Sequence, residues 1–323
     1  MRAVQVTRLD GPDVVEVTDV DEPTGDGVVV EVHAAGAAFP DALLTRGLYQ
    51  YRPEPPFVLG AEIAGVVRSA PDNTHVRAGD RVVGLTMLTG GMAEVAVLQP
   101  DRVFRLPDNV SFEAGAGLLF NDLTVYFALN VRGRLQQGET VLVHGAAGGI
   151  GTSTLRLAPV LGASRTIAVV STEEKGQIAT AAGATDVVLA EGFKDAVKEL
   201  TGGRGVDVVV DPVGGDRFTD SLRSLAPGGR LLVVGFTGGE IPTVKVNRLL
   251  LNNVDVVGVG WGAWTLSHPN ALAEQWAALE RLLSSGQLAP PIPVVYPLDD
   301  AAAAVASLEN RTAKGKVVLR VRD

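Results

Sequence analysis

The sequence predicts an α/β protein in which a doubly wound parallel sheet is flanked on both sides by mostly β chain. Three observations carry this. Apolar runs of four to seven residues alternate with helical stretches through the middle of the chain. A Gly-rich turn joins the first of these runs to the first helix. Before it, Pro and Gly punctuate short strand-like segments over roughly the first 120 residues. The length of 323 residues fits two domains, since single cores stop growing near ~250–300 residues.

The elements follow in order. Residues 1–8 alternate apolar and polar side chains, a strand pattern and not the unbroken apolar run of a leader peptide. Segments 28–32 and 64–68 read as strands, and 77–84 as a turn followed by a strand. From about 121 to 262 the apolar runs are 140–145, 166–171, 186–190, 206–211, 230–235 and 254–260, rich in Val and Leu. Near-continuous apolar runs are what parallel strands covered on both faces require. Helices at 151–161 and 175–182 lie between them, so the six strands make a doubly wound sheet. After 262 come an amphipathic helix at 270–285, Pro-rich extended chain, a helix at 298–309 and a strand at 315–321. This tail is too short for its own core and is expected to pack on the first domain.

Composition sets limits. The apolar fraction of 46% excludes global disorder. The net charge of −9 argues against a general nucleic-acid or acidic-membrane binder. The absence of cysteine excludes a disulfide scaffold, an iron–sulfur cluster, a thiolate nucleophile and a Cys-ligated zinc. His33, His75, His144 and His268 have no ligand spacing and read as surface or core residues, so no metal is expected. No run approaches the ~18 apolar residues of a membrane helix. A cytoplasmic protein without membrane or nucleic-acid partners is expected.

The strongest local signal is Val141-Leu142-Val143-His144-Gly145-Ala146-Ala147-Gly148-Gly149-Ile150-Gly151, which leaves a buried strand and enters a helix. On the dinucleotide fingerprint of the Rossmann fold, Ala146 takes the first glycine position, Gly148 the second and Gly151 the third. Ala147, Gly148, Gly149 and Ile150 then form the pyrophosphate cradle at a helix N-terminus. The next strand chooses between NAD and NADP. An NAD site usually carries a carboxylate about 20 residues on; here the strand ends in Ser171-Thr172, and Lys175 follows. A hydroxyl and an ammonium suit a 2′-phosphate, so NADPH is favoured. Glu173 and Glu174 read as first-turn residues that suit a helix N-terminus. An ordinary solvated lysine is the alternative for Lys175.

Several segments together resemble the zinc-free quinone oxidoreductases of the medium-chain dehydrogenase/reductase superfamily. They are Phe39-Pro40-Asp41, Arg46-Gly47-Leu48-Tyr49-Gln50, Pro56-Phe57-Val58-Leu59-Gly60-Ala61-Glu62, Gly79-Asp80-Arg81-Val82, Leu123-Thr124-Val125-Tyr126, the Gly-rich turn, and Gly315-Lys316-Val317-Val318-Leu319. The resemblance implies a Rossmann cofactor domain (122–262) inserted into a GroES-like substrate domain (1–121 with 263–323), with NADPH across a cleft between them. It also implies a homodimer joined at the last cofactor-domain strand, around 254–260, which would hide an apolar strand edge. By the same resemblance Phe39 and Thr124 contact the cofactor, and Ser171 and Lys175 meet the adenosine phosphate. Gly235 and Phe236, with Val259, Gly260 and Trp261, flank the nicotinamide, and Lys316 lies in a closing segment that reaches the cofactor. Two departures matter. Zinc-dependent relatives carry Gly-His-Glu where this chain reads Gly60-Ala61-Glu62, and an asparagine common near the nicotinamide is replaced by Ala38.

With neither thiol nor metal ligands, the reactive group must be the cofactor's hydride. A quinone asks little more, because its reduced oxygens take protons from water. An enone or enoyl thioester needs its carbonyl polarised and a proton delivered at the α-carbon. Tyr49 is the candidate donor; the alternative is that it only packs the wall. Asp41 follows Pro40 at a helix start and reads first as a first-turn carboxylate. Three functions stay open: an NADPH-dependent quinone reductase, a reductase of activated C=C bonds, and a catalytically weak NADPH-binding sensor or structural protein.

Overall fold

The computed structural model describes every residue except Met87 and Asp323. The chain divides into two compact units, Met1–Phe120 with Asn270–Asp323, and Asn121–Pro269. The boundaries expected from the sequence differ from these at residue 121 and at 263–269, which fall in the second unit. There Trp264 lies against Phe127 with ring centroids 4.8 Å apart and stacks on His268 at 4.2 Å.

The second unit holds a six-stranded sheet. Across it run Asp186–Leu189, Arg165–Val170, Thr140–His144, Val206–Asp211, Leu225–Val233 and Asp255–Gly258. Every pairing is parallel. In the unit's own strand count the order is 3-2-1-4-5-6, the doubly wound order expected from the alternation of runs. Helices Gly149–Val160, Glu173–Ala181, Phe193–Leu200 and Phe218–Arg223 intervene in sequence. Leu142, Ile167, Val209 and Leu231 are buried on the sheet with Phe193 and Phe218 packed on them. Burial of this kind removes apolar surface from water at about 25 cal/mol per Å².

The first unit is built on the long strand Val28–Ala37. One edge pairs antiparallel with Glu62–Ser69; the other pairs with Val95–Leu98 at its start and Val317–Arg320 at its end. The last pairing, Leu319 on Ala35, draws the C-terminal tail onto the N-terminal domain as expected. The second tail helix starts later than its sequence signal, as Ala301–Glu309 after a 3-10 turn at Leu298–Asp300. It packs on helix Phe39–Thr45, and Arg46 binds Glu309 at 2.5 and 3.0 Å. A smaller sheet joins Val15–Asp19, Arg2–Val6 and Phe57–Val58.

His144 ends the first parallel strand and is fully buried. Its Nε2 lies 2.8 Å from Ser221 Oγ, and that hydroxyl donates to Arg217 O at 3.0 Å. The ring therefore donates through Nε2–H, and Nδ1 has no partner among the described residues. Phe193 meets the ring edge-on. Burial drives the imidazole pKa down to about 4; Asp211 opposes this and Arg217 adds to it. A histidine whose folded pKa lies below its unfolded value of 6.5 stabilises the fold fully above pH 6.5 and loses that stability as pH falls toward 4. We predict that wild type loses about 3 kcal/mol more than His144→Asn between pH 6.5 and 4. Urea unfolding of both proteins across that range reads the difference; parallel pH profiles would contradict it.

Candidate active site

The Gly-rich turn leaves the central strand of the parallel sheet, where the strand order reverses. Open α/β sheets bind ligands at that point, beyond the carboxyl ends of the strands. A side chain on Gly151 would overlap Gly145 O and the Ala146 backbone, so helix and strand approach as closely as they do only because Gly151 has none. Gly148, the N-cap, has φ −89° and ψ −179°, which any residue adopts. A Cβ there would meet only Gly145 O, at 3.3 Å, and would otherwise enter open space. A Cβ on Gly149 would collide with Asn121 Nδ2. Gly149 and Ile150 open the helix, so their N–H groups lack intrahelical acceptors. Uncovered donors, a helix of 12 residues behind them and no side chain in the way fit a dinucleotide pyrophosphate.

The second-unit candidates gather at one edge of the sheet. Because all strands run parallel, the segments that follow them share that edge: the Gly-rich turn, Ser171, 212–214, Gly235-Phe236 and 259–261. Thr237 N–H donates to Pro212 O at 3.0 Å and Gly238 N–H to Val213 O at 2.8 Å, so the loop bearing Gly235 and Phe236 lies along 212–213. Val213 in turn borders Gly145. Val259 N–H donates to Val233 O at 3.0 Å; Val259 and Trp261 are buried, while Gly260 is exposed and caps helix Trp261–Leu266.

Strand Arg165–Val170 ends at exposed Ser171. Thr172 caps the next helix, its Oγ1 accepting the Lys175 N–H at 3.3 Å, which sets Lys175 in the first helical turn. Glu173 and Glu174 are exposed beside it. Thr124 is buried on helix Leu119–Tyr126.

In the first unit Phe39, Asp41, Tyr49, Glu62 and Lys316 must be read together. Asp41 is buried; its carboxylate accepts the Ala38 N–H at 2.8 Å and the Gly60 N–H at 3.2 Å, tying the two segments. Burial raises its pKa to about 6 against the lowering pull of those N–H groups and Lys316, with Glu62 adding to the rise. Phe39, two residues before it, is half-buried. Tyr49 is half-buried against the core, and burial, with the Asp41 charge second, raises its phenol pKa. The phenol therefore keeps its proton at neutral pH. Lys316 is buried, and its ammonium donates to Glu62 Oε1 at 2.5 Å and Ala37 O at 3.0 Å. Glu62 Oε2 accepts the Phe120 N–H at 2.8 Å. Two of the three ammonium protons are thus spent inside the unit, where the lysine neutralises a buried carboxylate. Removing one partner of such a pair leaves a lone buried charge, at a cost of about 3–5 kcal/mol.

Sequence reasoning passed over Asn121-Asp122. Asp122 is fully buried and receives Arg156 at 3.0 and 3.1 Å and the Ser153 hydroxyl. This fastens helix Leu119–Tyr126 to the helix that begins at the Gly-rich turn. The signal was present: two polar residues inside an otherwise apolar run must find partners when buried.

Comparison with known proteins agrees with this architecture. The Alcohol dehydrogenase GroES-like domain family matches residues 24–108, and the Zinc-binding dehydrogenase family matches 149–284. A quinone oxidoreductase-like protein 2 homolog of Nematostella vectensis is 38% identical, covering 99% of this chain and 89% of its own. A quinone oxidoreductase of Pseudomonas syringae has a TM-score of 0.89 at 35% identity, over 99% of each chain. The Escherichia coli quinone oxidoreductase complexed with NADPH has a TM-score of 0.88 at 31% identity, over 99% of this chain and 100% of that one. The fold and the turn define a two-domain, dinucleotide-dependent oxidoreductase. The chain belongs to the medium-chain dehydrogenase/reductase superfamily, with quinone oxidoreductase-like homologues. The zinc in one family's description has no ligand counterpart here: cysteine is absent, and no group of three or more His, Asp or Glu suited to a metal occurs among the described residues. Nor is any described helix long and apolar enough to cross a membrane.

The two glycines predict opposite outcomes. Gly151→Ala should lower unfolding stability by about 2 kcal/mol or more, because its Cβ meets backbone. Gly148→Val should leave the thermal midpoint within a few degrees yet weaken NAD(P)H binding by about a hundredfold or more, because its side chain occupies the anion's place. Thermal melts and titration calorimetry read both; full affinity in Gly148→Val would refute the placement of the turn.

Proposed function

We propose that the protein is a metal-independent, NADPH-dependent oxidoreductase that reduces a quinone. One observation carries the reading. The Gly-rich turn stands at the switch point of the sheet, and the neighbouring strand ends in Ser171 with Lys175 one turn on, without a carboxylate at its tip. A carboxylate there would repel a 2′-phosphate at short range, whereas an ammonium attracts it. Ser171 and Lys175 are assigned to the adenosine phosphate, and Ala147, Gly148, Gly149 and Ile150 to the pyrophosphate. Thr124, Gly235, Phe236, Val259, Gly260 and Trp261 are assigned to the rest of the dinucleotide, with Phe39 a further contact. For Lys316 the buried pair with Glu62 favours a supporting role over direct contact.

When bound, the reduced nicotinamide supplies the hydride. The chain's task is to hold the acceptor near it and keep water away. Quinone to hydroquinone needs two electrons and two protons. The hydride brings both electrons and one proton's worth of hydrogen, and water supplies the remaining proton, so no side-chain acid is required. Homologues named as quinone oxidoreductases support this substrate class. Tyr49 favours a second reading, reduction of an activated C=C bond: its phenol, held protonated by burial, is suited to donate.

The reading extends to a homodimer. Strand Asp255–Gly258 ends the sheet order with one edge unpaired among the described residues, and Ile241, Val246, Leu250 and Leu251 are exposed in the segment before it. Sedimentation velocity at micromolar concentration should give twice the chain mass; a monomer would reject the pairing.

The test of function is steady-state NADPH oxidation against quinones and enals. Turnover with quinones that is lost with enals supports the first reading, and the reverse supports the second. No turnover with either, while NADPH still binds, rejects both. Lys175→Ala should raise the Kd for NADPH about tenfold or more with little change for NADH; equal losses would count against the phosphate assignment.

A further inference from the structure

Asn121 is a polar side chain with nothing inside the chain to satisfy it. It is 95% buried, being 5% exposed. Its amide forms no hydrogen bond with any described residue and is not sealed from solvent, so it opens to the space at the helix end. Nδ2 stands where a Cβ of Gly149 would otherwise lie, beside the first residue of the 12-residue helix Gly149–Val160. The N–H groups of Gly149 and Ile150 open at that same end.

The position of Asn121 is fixed from behind. Asp122, the next residue, is fully buried and receives both Arg156 nitrogens and the Ser153 hydroxyl, all from the helix that Asn121 faces. The backbone that carries the amide therefore cannot move away from that helix without straining a buried ion pair. Thr124 lies three residues on, so both side chains share one face of helix Leu119–Tyr126. A buried amide donor fixed beside uncovered backbone donors asks for one complement, a group with several acceptor oxygens and negative charge.

We propose that Asn121 is a pyrophosphate-binding residue, its Nδ2–H₂ donating to the diphosphate bridge of the dinucleotide alongside the N–H groups of Gly149 and Ile150. This rests on the dinucleotide reading above and adds a side-chain donor to a cradle otherwise made of backbone. It also accounts for Gly149: a side chain there would displace the amide from the helix end.

The diphosphate is common to NADPH, NADH and ADP-ribose but absent from adenosine 2′-monophosphate. Asn121→Ala should raise the Kd for the first three about tenfold, by equal factors, and leave that for adenosine 2′-monophosphate unchanged. This pattern differs from that of Lys175→Ala, which separates NADPH from NADH. Asn121→Asp sets a carboxylate at the helix N-terminus. That charge suits the empty helix end and repels the diphosphate. The thermal midpoint of the nucleotide-free protein should hold or rise, while affinity for all three diphosphates falls about a hundredfold. A position remote from the bound diphosphate could not move stability and affinity in opposite directions, and the Asn121→Ala losses report the amide contact itself. Titration calorimetry and thermal melts on the full chain give both readouts. If wild type binds the diphosphates and both variants bind them within twofold of wild type, the assignment of Asn121 is overturned and the dinucleotide reading stands. If wild type binds none of the three, both fail together.

Discussion

A diphosphate enters a protein without a metal only where hydrogen-bond donors point at it uncovered. In a parallel sheet such donors occur where a strand ends and its helix begins, because the first N–H groups of a helix have no partner of their own. The constraint here is the close approach at Gly151, whose missing side chain lets helix Gly149–Val160 start directly over the end of strand Thr140–His144. Shift that helix outward and the N–H groups of 149 and 150 no longer converge. Ser171 and the 212–214 loop would then flank nothing.

The second unit spends much of its buried polar chemistry on holding this geometry. Asp122 and Arg156 tie the preceding helix to the fingerprint helix. His144, kept neutral by burial, binds Ser221 beneath the turn. Asp211 accepts the N–H groups of Val213 and Gly214, both at 2.9 Å, and so shapes the loop beside Gly145. In the first unit, Asp41 ties residue 38 to residue 60, and the Glu62–Lys316 pair joins the start of strand Glu62–Ser69 to the tail. These are supporting contacts: they orient backbone and leave the donors to face outward.

Most of the parallel sheet was legible in sequence because strands buried on both faces must be apolar throughout, and few other elements write so plain a run. Where the reading fell short, the causes are local. Strand Leu225–Val233 begins before its apolar run, since Pro227-Gly228-Gly229 reads as a turn; in the fold these residues bulge within the strand, Gly228 at φ +80°, and the pairing with Val206–Asp211 jumps from Leu225 to Arg230. Strand Val28–Ala37 outlasts its Val-rich start because His33-Ala34-Ala35-Gly36 carries no strand signal. Gly36 is needed there, as any side chain would strike Ala116 O and Glu62. The turn and Lys175 could be found by spacing. Pairings such as Glu62 with Lys316 could not, because residues 254 positions apart leave no periodic trace. Asn121 was readable only as a polar interruption in a buried helix, and its meaning needed the neighbour at Gly149.

The account stands on anion capture at the Gly-rich turn, and a crystal structure grown with NADPH at saturating concentration tests it most directly. It predicts diphosphate density within hydrogen-bond distance of the Gly149 and Ile150 N–H groups, with the 2′-phosphate near Ser171 and Lys175. A fully occupied nucleotide lying elsewhere, with that helix end facing only water, would contradict it.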